Sequence, residues 1–171
     1  MKIAFVGDSF CADANRNFNW HEKKKKPTWL SWVELVAQNY DAEIICTGQS
    51  GRALFHAYED LLDIIDEADY IVLCITKEFR IANKYKVGIT PTVHSQDQLY
   101  KSLSVALYNK SADPSVEHDH VRSVAKELSI AASYYYKEVM SIDFHITIHH
   151  LLIKEIDNIL QEKNKKCIWF F

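Results

Sequence analysis

Between Pro114 and Lys166 the chain has neither glycine nor proline. With both breakers missing, nothing local stops a helix there. Apolar residues fill the interval at helical spacing. Val121, Ala125, Leu128, Ala132, Tyr135, Val139, Ile142, Ile146, His149, Ile153, Ile156 and Leu160 step by four and three without a miss. At about 1.5 Å per residue, about 48 helical residues would reach about 70 Å, whereas a compact domain of this size is about 40 Å across. Either the helix breaks into a bent pair, or it projects as an arm that packs against a second copy of the chain, giving a homodimer. Phe144-His-Ile-Thr-Ile148 also alternates with period two, which fits a short strand.

Other absences narrow the function. Four cysteines are present, at 11, 46, 74 and 167, but no Cys-x-x-Cys pair. Cys46, Cys74 and Cys167 stand in or at the end of apolar runs, where a reduced thiol acts as a small hydrophobe. That pattern predicts a disulfide-free, cytoplasmic protein. No apolar run approaches the eighteen or so residues needed to cross a bilayer, so no membrane partner is expected. The N-terminus reads as a strand with Asp8 close behind, unlike a signal peptide. Net charge is −3, which gives no reason to expect a nucleic acid. The one basic run, Lys23 to Lys26, ends at Pro27 and reads as a solvated loop. No Gly-x-Gly-x-x-Gly follows the first strand, which weakens a nucleotide-binding reading. His145 and His149 share a helix face, but the segment lacks the glutamate of His-Glu-x-x-His, so no metal or other cofactor is expected.

What is present points to an α/β fold. The chain has 171 residues, 48% apolar and 25% charged, which suits one soluble domain with a sizeable core. Short apolar runs near 2–6, 42–46, 70–75 and 166–171 predict four parallel strands, the last as a buried one. The expected architecture is a flavodoxin-like three-layer sandwich, order 2-1-3-4, with a long C-terminal helical segment. Residues 10 to 27 form a long polar loop. A helix is expected from Pro27-Thr28 through Trp29, Trp32, Val33, Val36 and Ala37, and a second from near Arg52 to Ile65. Residues 81 to 96 read as irregular, 96 to 108 as a short helix and 111 to 114 as a break. Gly7-Asp8-Ser9 follows the first strand directly. It places a hydroxyl at the carboxyl edge of a sheet, where open α/β folds bind ligands. Ser9 is therefore the candidate nucleophile, with Cys11, two residues on, as its rival.

Gly7-Asp8-Ser9, in that position, resembles the first block of the SGNH/GDSL hydrolases. The resemblance covers about residues 1 to 80 by motif, and it implies hydrolysis of a small ester through an acyl-enzyme on Ser9. Ser50-Gly51 looks like the second block, which gives the Gly51 N–H a place in the oxyanion hole. The third block departs from the family: where Gly-x-Asn-Asp is usual, Thr76 stands nearest the asparagine. A threonine hydroxyl can donate one hydrogen bond to an oxyanion, as an amide can. The family's Asp-x-x-His is not found. Its nearest counterpart, Asp143-Phe-His145, is one residue short and sits in the helical segment. His145 and His56 are the base candidates within the chain. The missing block also fits a chain that stops short of the family's last strand, loop and helix, or one that takes its base from a neighbouring subunit. The reading from a different class is a catalytically inactive SGNH-like module used for binding or assembly.

Overall fold

The structure is a computed structural model that describes residues 1–13, 30–49, 51–76, 80–86, 88–89, 99–101, 103–104, 107 and 118–170. Most of the long loop with Lys23 to Lys26, the start expected at Pro27, Ser50, Lys77 to Phe79 and the break at 111 to 114 lie outside them.

Four strands form one sheet: β1 (Lys2–Val6), β2 (Glu43–Cys46), β3 (Tyr70–Cys74) and β4 (Lys166–Phe170). Their order is β2-β1-β3-β4 and every pairing is parallel, as the sequence predicts. Side chains alternate across the sheet. Ile3, Phe5, Val72 and Cys74 turn to one face, with Val33 of helix α1 (Trp32–Asn39). Ala4, Val6, Ile71 and Leu73 turn to the other, against α2 (Leu54–Ile64) and α4 (Ile142–Glu162) through Ala57, Leu61, Ile156 and Leu160. Helices on both faces explain why β1 and β3 are nearly continuous apolar runs. The result is a flavodoxin-like α/β sandwich.

Three expectations change. Helix α1 starts at Trp32, because Ser31 caps it: the Ser31 hydroxyl accepts from Glu34 N–H and the Glu34 carboxylate accepts from Ser31 N–H. This capping box satisfies two otherwise unpaired N–H donors at the start of the helix. Strand β4 is an edge strand rather than a buried one. Cys167 and Trp169 face the core, while Ile168 and Phe170 are 57% and 49% exposed on the other face, where Trp32 of α1 reaches Phe170, 5.7 Å between ring centroids, without burying it. Phe144 to Ile148 is helical, within α4.

The glycine-free interval resolves into a bent pair. Helix α3 (His118–Tyr134) passes through a π-helical turn (Tyr135–Val139), breaks at Met140, and restarts as α4 on a Ser141 cap. A cap hydrogen bond, donated by Phe144 N–H to the Ser141 hydroxyl, does what a glycine or proline would otherwise signal. At about 1.5 Å per residue, the 21 residues of α4 span about 31 Å, whereas a strand of 5 residues spans about 17 Å. Its C-terminal half covers the sheet, and its N-terminal half overshoots the carboxyl edge. Among the described residues between β3 and the π turn, Ile89, Leu99, Leu103, Leu107, Val121, Val124 and Ala125 form a small core of their own.

A crevice at the carboxyl edge of the sheet

Three loops leave the carboxyl ends of β1, β2 and β3, and backbone bonds tie them together. Gly48 N–H donates to Cys11 C=O at 2.8 Å and Gln49 N–H to Gly7 C=O at 3.2 Å. Gly88 N–H donates to Gly51 C=O at 2.5 Å. Gly7 has to be glycine. Its φ is +146°, and a Cβ there would come within 2.5 Å of Cys74 C=O on the neighbouring strand.

Ser9 opens a 3-10 turn, Ser9–Cys11, immediately after β1, and is exposed. Asp8 caps that turn through Oδ1, which accepts from Phe10 N–H at 3.0 Å. Its other oxygen, Oδ2, pairs with Arg80 Nη1 at 3.1 Å, and the same nitrogen donates to Arg52 C=O at 2.7 Å. One guanidinium thus holds the loops of all three strands around the candidate nucleophile. Beside the turn lies a cavity of about 300 Å³ lined by Phe10, Trp32, Cys74, Ile75 and Phe170. Trp32 forms its roof: the indole stands edge-on to Phe5 at 5.4 Å, and Nε1 donates to Phe10 C=O. The opening between the ends of β1 and β3 is the switch point of this strand order, where such sheets bind ligands.

The other predicted residues scatter. Thr76 lies two residues past β3 and is 3% exposed, and its hydroxyl has no hydrogen-bond partner. Gly51 lies in a left-handed turn, φ +76°, with open space where a side chain would be. His56 is a structural residue of α2. It is 1% exposed, its Nδ1 accepts from Ala53 N–H at 3.2 Å, and its Nε2 meets the Asn83 backbone carbonyl at 3.2 Å. Both ring nitrogens are spent on pinning the segment after β3 to the start of α2. His145 meets the Tyr135 hydroxyl at 2.7 Å through Nε2, bracing the bend between α3 and α4. Asp143, in the exposed first turn of α4, makes no hydrogen bond to it. Two residues apart on a helix, the pair points in different directions.

The histidine that reaches the carboxyl edge is His149. Its Nε2 lies 2.9 Å from Thr76 C=O, at the end of β3. The sequence did carry a signal for it: His149 occupies a position of the apolar stripe between Ile146 and Ile153, where a polar ring must find a partner. Only the overshoot of α4 places that position over a strand end.

Fold and crevice define an α/β module with an apolar pocket at the carboxyl edge of a parallel sheet. No protein-family model matches the chain, and no curated protein matches it either. Among the described residues, no group of three or more His, Cys, Asp and Glu side chains is placed to hold a metal ion, and no helix is long and apolar enough to cross a membrane.

Proposed function

We propose that the chain is an SGNH-type serine hydrolase acting on a small ester with an apolar acyl or alcohol part. The observation that carries this reading is the position of Ser9, an exposed hydroxyl on an Asp8-capped turn at the switch point, beside the cavity bounded by Phe10. His149 takes the role of base. Nε2–H donates to Thr76 C=O, which fixes the tautomer and leaves Nδ1 bare to accept a proton. Ser9 Oγ attacks the ester carbonyl as its proton passes to His149. The alcohol leaves with that proton, and water then cleaves the acyl-enzyme by the same route. By the family resemblance, the Thr76 hydroxyl and the Gly51 N–H are the donors to the oxyanion.

The second reading, a non-catalytic SGNH-like binding module, is favoured by the lack of a hydrogen bond between Ser9 and any described histidine. Labelling with a fluorophosphonate, read by intact mass, separates the two. The hydrolase reading expects one adduct on the wild type, none on Ser9→Ala, and at least a hundredfold slower labelling of His149→Gln. An adduct that survives in His149→Gln at full rate removes His149 from the mechanism. Folded wild type that takes no label at all overturns the hydrolase and leaves the binding module.

A further inference from the structure

Cys11 ends the 3-10 turn after β1, and Cys74 ends β3, so the crossing of adjacent strand ends brings two thiols together under the crevice. Neither is in a disulfide. A methyl group at Gly7 would touch both, lying 2.9 Å from Cys74 Cβ and 3.1 Å from Cys11 Sγ. They differ in access. Cys74 lines the apolar cavity, whereas Cys11 is wholly buried behind it, with its Sγ 3.5 Å from Asp8 C=O.

We propose that Cys74 and Cys11 form a thiol–disulfide exchange pair, entered from the cavity, that reacts with small disulfides bearing an apolar or aromatic arm. Cys74 is the attacking sulfur and Cys11 the resolving one. The Cys74 thiolate attacks one sulfur of the small disulfide, whose S–S bond breaks and releases a first thiolate. Cys11 then loses its proton, attacks Cys74 Sγ and expels the second thiol. The protein dithiol is oxidised by two electrons to a Cys11–Cys74 disulfide, and the small disulfide is reduced to two thiols. The electrostatics follow the same order: the neighbouring Cys11 lowers the Cys74 thiol, while Cys74 and burial raise Cys11. Product disulfide would join the ends of β1 and β3 directly beneath Ser9. The pair acts independently of Ser9 chemistry.

The probe is 4,4′-dithiodipyridine, an aromatic disulfide whose released thiopyridone absorbs light. Added to reduced, folded protein, it should release about two equivalents per chain in one fast phase, and peptide mapping should find Cys11 joined to Cys74. Cys11→Ala should release about one equivalent and keep a stable pyridyl adduct on Cys74, while Cys74→Ala should lose the fast phase. Ser9→Ala should behave as wild type. Fast release that maps to Cys46 or Cys167 overturns the proposal, as does a wild-type Cys74 adduct that Cys11 never resolves. Where an alanine variant fails to fold, the wild-type peptide map decides alone.

Discussion

Replacing Arg80 by methionine tests whether one guanidinium organises the crevice. Two unit charges 3.1 Å apart attract by about 5 kcal/mol at an effective dielectric constant of about 20. Desolvation of both groups offsets most of that, so the intact pair adds little net stability. Removing one partner is different, because the Asp8 side chain, 8% exposed, keeps its desolvation cost without its cation. Such stranding costs about 3–5 kcal/mol when both groups are dry. Arg80 remains 16% exposed, which places the loss at about 2–3 kcal/mol. The bond to Arg52 C=O adds about 1 kcal/mol. Arg80→Met should therefore lose about 3–4 kcal/mol, or about 1.5–2 M in urea midpoint at a slope of about 2 kcal/mol/M. Asp8→Asn keeps an oxygen for Phe10 N–H, so it should cost less, about 2 kcal/mol. The double variant strands no charge and should recover at least about 1.5 kcal/mol relative to the sum. Circular dichroism against urea for the four proteins of this cycle gives the coupling. A coupling below about 0.5 kcal/mol would show that Arg80 does not hold Asp8, and the account of the crevice would fail with it.

Other substitutions probe the remaining assignments. His56→Leu is close in volume but removes the partner of Ala53 N–H and Asn83 C=O, and should cost about 2–4 kcal/mol with faster amide exchange at Ala53; a loss under about 0.5 kcal/mol would free His56 for another role. Ile156→Ala, at a site with 0% exposure, should cost about 2–5 kcal/mol, whereas Ile148→Ala on the same helix, 45% exposed, should cost under about 0.5. An equal loss at the two sites would contradict this placement of α4 and would mean that something covers Ile148. Burial pushes the Cys167 thiol up to about 12 from the usual 9.0. At pH 8 only about one thiol in ten thousand is then ionised, so native Cys167 should alkylate about a thousandfold more slowly than a free cysteine, gaining about tenfold per pH unit. Because the folded value lies above the unfolded one, the stability it confers is complete below about pH 9 and declines as pH rises towards about 12. Alkylation at the free-cysteine rate by iodoacetamide and mass spectrometry would contradict the burial of β4's inner face.

The sheet was legible because its causes are local. Ile3 to Val6 and Tyr70 to Cys74 are continuous apolar runs, the signature of strands buried on both faces, and their positions fix a parallel α/β arrangement. Gly7 and Ser9 were legible for a related reason, since a small residue and a hydroxyl directly after a strand have few places to go. The long stripe from Val121 to Leu160 determined that the segment is helical, but its period says nothing of where it bends. A π turn and a serine cap decided that, and neither breaks the stripe. The partners of the base candidates were not legible, again for a physical reason. His56 and His145 were chosen by chain position and motif, whereas a histidine's role depends on which partner its two nitrogens meet, and those partners lie 27 residues away for Asn83 and 10 for Tyr135. His149 meets Thr76 across 73 residues and Arg80 meets Asp8 across 72. The sequence by itself determined which segments form strands and helices and where one hydroxyl stands. Which side chains meet at the strand ends was decided only in the tertiary structure, because the packing of α4 along the sheet sets how far it overshoots them.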